Sequence, residues 1–198
     1  TEPNNLGPPY DRIEIDQSSS AVFQAGDTQQ RSISVLGRWG YSEDTLGAGT
    51  VSSGLSSDAT ATEMIGSDGS LIDVGDTLLI ETEQVFVTEV ANAAVGSELI
   101  DGALTKDKGE VAVTIDDGTE VSAGEVILIE SERMLIESIS GNVLTVVRGF
   151  DGSAVAAHNN DTAFHAFRTY TIVRAVNGTT AATHANGTAV SRYAPEAD

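Results

Sequence analysis

The chain has 198 residues, no cysteine and a formal net charge of −20. It therefore has no disulfide, no thiolate metal site and no cysteine nucleophile, and its sign is opposite to the basic surface that direct nucleic-acid binding requires. No run reaches the roughly 18 apolar residues of a membrane-spanning helix, and TEPNNLGPPY has neither the basic start nor the apolar run of a secretory leader.

The elements read from the N-terminus as β-structure. In PPYDRIEIDQSSSAVF, Ile13 and Ile15 alternate after a Pro-Pro stop. QRSISVLGRWGYSEDT alternates again and ends on Arg38, Trp39 and Tyr41, a Trp between two glycines. Trp39 fits a core plug. With Arg38 and Tyr41 it also has the composition of a partner-docking anchor. TLGAGTVSSGLSSDATAT (45–62) is rich in Gly, Ser, Thr and Ala and reads as a connector with a domain boundary in it. ATEMIGSDGSLIDVG follows as a strand and turn, with positive φ expected at the glycine of Asp68-Gly69. GDTLLIETEQVFVTEV (75–90) reads as a hairpin broken by Glu81-Thr82-Glu83, its strands covered on both faces near the base. A bridge, AAVGSELIDGALTKDKGE, leads to VAVTIDDGTEVSAG, with a second Asp-Gly turn at Asp117-Gly118.

The second half of the chain is built from repeats. GEVILIESERMLIESI (124–139) repeats residues 75–90 at an offset of 49, so Glu130 and Glu132 match Glu81 and Glu83. It runs through a Gly141-Asn142 turn into LTVVRGFDGSAVAAHNNDTAF (144–164), which recurs 26 residues later as YTIVRAVNGTTAATHANGTAV (170–190). In each copy Asp151-Gly152 or Asn177-Gly178 is a turn. Ser153 or Thr179 caps one helical turn, and His158 or His184 ends it. Periods of this kind are read first because they define the architecture. The economical reading is one module inserted into a loop of another, since loop tips tolerate insertion. The expected fold is all-β: a small N-terminal β segment with connector (1–58), an outer β-barrel or sandwich-like module (59–94 plus 168–194) and an inserted, similar module (109–167).

Candidate chemistry is weighed against structure at each point. His158 and His184 are either a metal pair related by pseudo-symmetry or one structural joint built twice. A metal takes three or four converging ligands, and the sequence repeats no obvious third ligand beside them. We therefore read Arg148, Gly152 and His158, with Arg174, Gly178 and His184, as a repeated joint, the arginines at strand ends reaching carbonyls or nearby acids. Glu81/Glu83 and Glu130/Glu132 have the composition of acid–base or Ca²⁺ carboxylates. Two residues apart at a hairpin tip, they are expected to face solvent. Asp116 to Glu120 matches a calcium loop in composition but not in spacing. Asn177 and Asn186 head formal glycosylation sequons that read as turns. No phosphate loop, nucleophile elbow or zincin motif occurs. The expectation is no catalytic residue, no metal and no cofactor.

GPPYDRIEID and QRSISVLGRWGYSEDT together resemble the strand-rich part of head–tail connector (adaptor) proteins of long-tailed bacteriophages. GEVILIESERMLIESISGNVLTVVRGFDGSAVAAH resembles a β-module recurrent in phage virion proteins. The resemblance covers about residues 7–193. Connectors of this type also carry an N-terminal helical bundle against the portal ring, a pattern this sequence lacks. The resemblance implies a non-enzymatic virion protein, assembled in the host cytoplasm. It would pair with itself in a ring or other homo-oligomer and with portal, capsid or tail proteins, and would bind neither membrane nor specific nucleic-acid sequences. A tail component, a capsid decoration protein and a β-rich adhesin or binding module are the alternatives.

Overall fold

The structure is a computed structural model and describes residues 44–193 except residue 57. The expected N-terminal β segment, with Arg38, Trp39 and Tyr41, lies outside the described residues. Ten strands run through the described residues: β1 (Thr45–Ser53), β2 (Glu63–Gly66), β3 (Thr77–Ile80), β4 (Glu83–Leu99), β5 (Ala112–Thr114), β6 (Val126–Ile129), β7 (Glu132–Ser140), β8 (Val143–Arg148), β9 (Ala163–Val173) and β10 (Ala189–Tyr193). Three single 3-10 turns, and no α-helix, accompany them among the described residues. The protein is all-β, in one antiparallel sheet.

The sheet closes on itself twice. Hydrogen-bonded neighbours run β2–β1–β10–β3–β4–β9, and β9 pairs back to β2 through Met64↔Tyr170. From the same β9, pairing continues β6–β7–β8–β5, and an Ile100↔Ile115 bridge joins the residue after β5 to the residue after β4. Each circuit of six has its own apolar filling, as small barrels do. One cluster joins Ala48, Val51, Met64, Leu78, Ile80, Val85, Val87, Tyr170, Ile172 and Val190. The other joins Val95, Ile100, Val113, Ile127, Ile129, Met134, Ile136, Leu144, Val146 and Phe164.

The long antiparallel pair β4–β9 belongs to both barrels. Residue 94 lies inside β4, and residues 167 and 168 lie inside β9. One edge of β9 follows β4, and the other pairs first with β6 at residues 164–166 and then with β2 at 169–171. Where the cores meet, Arg168 is buried on β9 and donates to Glu125 Oε1 and Oε2, both at 2.6 Å. Gly69 N–H, from the loop after β2, also donates to Glu125 Oε1 at 2.6 Å, tying that loop to the second barrel.

Several local expectations change. The 45–62 connector is largely β1, whose Ala48 and Val51 are fully buried; its small residues let neighbouring backbone come close, and a Cβ on Gly54 would lie 2.6 Å from Glu63 O. The hairpin breaks are two residues long. Ile80 pairs with Glu83 and Ile129 with Glu132, so the second glutamate of each pair opens a strand. Glu81 and Glu130 take φ of 55° in these turns. The strands alternate buried and half-buried positions, one face in each core, rather than being covered on both faces. Gly69 and Gly118 do not carry positive φ. They are glycine because a Cβ would stand 2.5 Å from Phe167 O and 2.0 Å from Gly141 O. Gly141-Asn142 is the two-residue turn between β7 and β8.

Candidate functional site

Each barrel buries one glutamate at the start of a strand, and alternation puts it there. Glu83 shares its face of β4 with Val85 and Val87, and Glu132 shares its face of β7 with Met134 and Ile136; all six are buried. The expectation that these glutamates face solvent is corrected accordingly. Only Glu81 and Glu130, in the turns, remain outside, each with 60% of its side chain exposed.

A buried carboxylate is costly unless charged donors surround it. Around Glu132 they do. Arg148, at the end of β8, donates Nε to Oε1 at 2.7 Å and Nη2 to Oε2 at 2.9 Å. Gly149 N–H adds 3.1 Å on Oε1 and Ala156 N–H 2.9 Å on Oε2. His158 Nε2 lies 2.9 Å from Oε2, while its Nδ1 lies 2.8 Å from Glu130 Oε2. Arg148 also donates to the carbonyls of Ala156, Thr105 and Glu110 at 2.6, 3.2 and 3.4 Å.

Glu83 has the same surroundings in the other barrel. Arg174, just past β9, donates Nε to Oε1 and Nη2 to Oε2, both at 2.7 Å. Ala175 and Ala182 N–H add bonds at 3.1 and 3.0 Å. His184 Nε2 stands 2.8 Å from Glu83 Oε2 and Nδ1 2.8 Å from Glu81 Oε2. Arg174 also donates to the carbonyls of Ala61, at 3.1 Å, and Ala182. In both glutamates burial pushes the carboxyl pKa up, but the arginine, histidine and backbone donors outweigh it and hold the value at about 2.

The sequence-predicted residues divide cleanly. Arg148 meets His158 on Glu132, and Arg174 meets His184 on Glu83, so each histidine has its own carboxylates. Gly152 and Gly178 lie apart, exposed, with φ of 74° and 80° in the adjoining turns. The run before each histidine is not a helical turn: a 3-10 turn occupies Phe150–Gly152 or Val176–Gly178, Ser153 or Thr179 after it is extended, and the residues up to the histidine carry no regular structure. Nor does Ser153 or Thr179 cap a helix. Ser153 Oγ accepts from Arg133 N–H at 2.9 Å and Thr179 Oγ1 from Gln84 N–H at 3.1 Å, pinning each turn to its hairpin. Beside these contacts Arg133 pairs with Asp151, and Asn177 donates to Gln84 Oε1 at 2.7 Å. The partners that sequence reasoning missed are Glu83 and Glu132. The signal was present as alternation with the valines or with Met134 and Ile136, and reading Glu81-Thr82-Glu83 as a loop concealed it.

Asp116 to Glu120 is an Asx turn: Asp117 Oδ1 accepts from Thr119 N–H at 2.9 Å and from its hydroxyl at 2.7 Å. Among the described residues no group of three or more His, Cys, Asp or Glu has the arrangement to hold a metal ion. The buried side-chain nitrogens and oxygens there without a hydrogen-bond partner reduce to Arg192 Nε. The buried polar groups thus bind one another and the backbone. No known family model, curated protein or solved structure matches this chain.

Proposed function

We propose that the chain is a non-enzymatic structural protein of a virion, at a phage head–tail junction, which assembles with itself into a ring through which DNA passes. The observation that carries this reading is the way charge is partitioned. Arg148 and Arg168 are buried and Arg174 nearly so, each paired with an internal carboxylate, while Asp101, Asp107, Asp116, Asp117, Glu120 and Glu137 stand exposed. Each internal pair is neutral, so the net outward charge keeps its full negative value while three cations are withdrawn from the surface, which suits a surface past which a polyanion slides without sticking. The sequence resemblance over residues 7–193 supports the same reading, with portal, capsid or tail proteins as neighbours.

The architecture would follow from one module inserted into its copy. Offsets of 49 and 26 residues carry β2, β3 and the start of β4 onto β5, β6 and β7, and carry β8 and the start of β9 onto the end of β9 and β10. The order of pairing is the same in both circuits.

Native mass measurement with electron microscopy of the purified chain tests the assignment. A closed cyclic ring of many copies supports it. A trimer points to a decoration protein or adhesin, and a monomer that binds glycans refutes the virion role. In assembled particles, the 61–140 segment, which holds 18 acidic and 3 basic residues, facing away from a neutral or basic lumen would remove the DNA-passage element.

A further inference from the structure

We propose that His158 and His184 are each held as a doubly protonated imidazolium between two carboxylates, and that each is a proton-dependent latch fastening its loop to a hairpin tip. The geometry points there directly. In both histidines each ring nitrogen lies 2.8–2.9 Å from a carboxylate oxygen. An ionised carboxylate only accepts, whereas a neutral imidazole has one N–H and one lone pair. Either neutral tautomer would aim a lone pair at an oxygen.

Charge counting agrees. Facing His158 are Glu130 from the hairpin turn, Glu132 from β7 and Arg148 from β8, with Glu110, ahead of β5, 4.0 Å from Arg148. Facing His184 are Glu81, Glu83 and Arg174, with Asp58 acting on Arg174 from the loop after β1. With the ring charged, two carboxylates meet two cations in each inner cluster. With it neutral, two carboxylates meet one.

The latch closes the histidine end of its segment onto the hairpin tip. Glu132 Oε2 takes three donors at 2.9 Å: Arg148 Nη2, Ala156 N–H and His158 Nε2. Two of the three belong to the 153–158 segment, which is also tied by backbone bonds between His158 and Leu104, by Arg148 to Ala156 O and by Ser153 Oγ to Arg133. Glu83 Oε2 does the same for Ala182 and His184. The stabilisation is present while the ring keeps its second proton and is lost as rising pH removes it. Deprotonation then loosens these two loops and leaves the barrels intact.

The test is nuclear magnetic resonance on the full ¹⁵N-labelled chain across a pH series, with His165 on β9 as internal reference. Ring nitrogen signals report protonation, and hydrogen exchange corrected for its intrinsic pH dependence reports the loops. The expected result is imidazolium at both positions in the folded protein, with ring deprotonation and loss of protection at residues 156–158 and 182–184 coinciding in pH. Glu130→Gln, at an exposed turn position, is expected to move the His158 step to lower pH and leave that of His184 in place; Glu81→Gln is expected to do the reverse. Neutral rings throughout the folded range overturn the proposal. So does deprotonation without a change in loop protection, or a step that Glu130→Gln does not move.

Discussion

Arg148 has no exposed side-chain surface, and its guanidinium donates to Glu132 and to three backbone carbonyls. A buried ion pair of this kind is weak evidence of net stabilisation, because desolvation offsets much of the attraction, but removing one partner leaves an uncompensated charge. Arg148→Leu is therefore expected to cost about 3–5 kcal/mol in urea unfolding. Arg133→Leu is the contrast: its pair with Asp151 is 41% and 62% exposed, and the loss of that pair is expected to cost at most about 1 kcal/mol. The residues of this network were legible as repeats, and Arg148 and Arg174 could be expected to meet acids. The glutamate that each shares with its histidine could not be seen while Glu83 and Glu132 were assigned to turns. A single shift of register exchanges the inside and outside of a strand, so the pairing Ile80↔Glu83 decided the site.

Hairpins were the most readable elements, because β-branched runs separated by short polar turns leave few alternatives. The Asp-Gly steps were also legible as turns, but their reason was not. Gly118 takes an ordinary φ and is closed off by backbone: a Cβ would lie 2.0 Å from Gly141 O, across the neighbouring turn. Gly118→Ala is expected to destabilise the second barrel by roughly 1–3 kcal/mol, the range for overpacking, and to lower the melting temperature. Gly109→Ala, whose nearest neighbour is a movable Asp107 carboxylate at 3.3 Å, is expected to change it little. β1 was the element hidden most completely. TLGAGTVSS has linker composition, and its inward residues are as small as Ala48; only its partners β2 and β10 make it a strand. Composition reports what a segment is made of, whereas a closed sheet needs thin strands where backbones crowd.

Among the described residues, the carboxylates divide into an exposed majority and a few that hold the interior. Glu83 and Glu132 sit at about 2, against an ordinary value near 4.5. Because the folded value is the lower one, their stabilisation is complete above about pH 4.5 and is lost as pH falls towards 2. The difference amounts to on the order of 3 kcal/mol per group. Urea midpoints measured through that window are expected to fall more steeply for the wild type than for Glu132→Gln, which lacks one of the two titrating groups. The all-β class and the acidity were readable from the sequence. That two cores share β4 and β9 was not, because strand pairing over such separations is fixed by packing rather than by local pattern. The same pairing sets how the molecule bears load. Thr45 opposes Tyr193 at the outer end of the β1–β10 ladder, so both ends of the described chain emerge side by side. A tug on them would peel that ladder one rung at a time, like a zip, opening the first barrel at Ala48 and Val190 before tension reached the second.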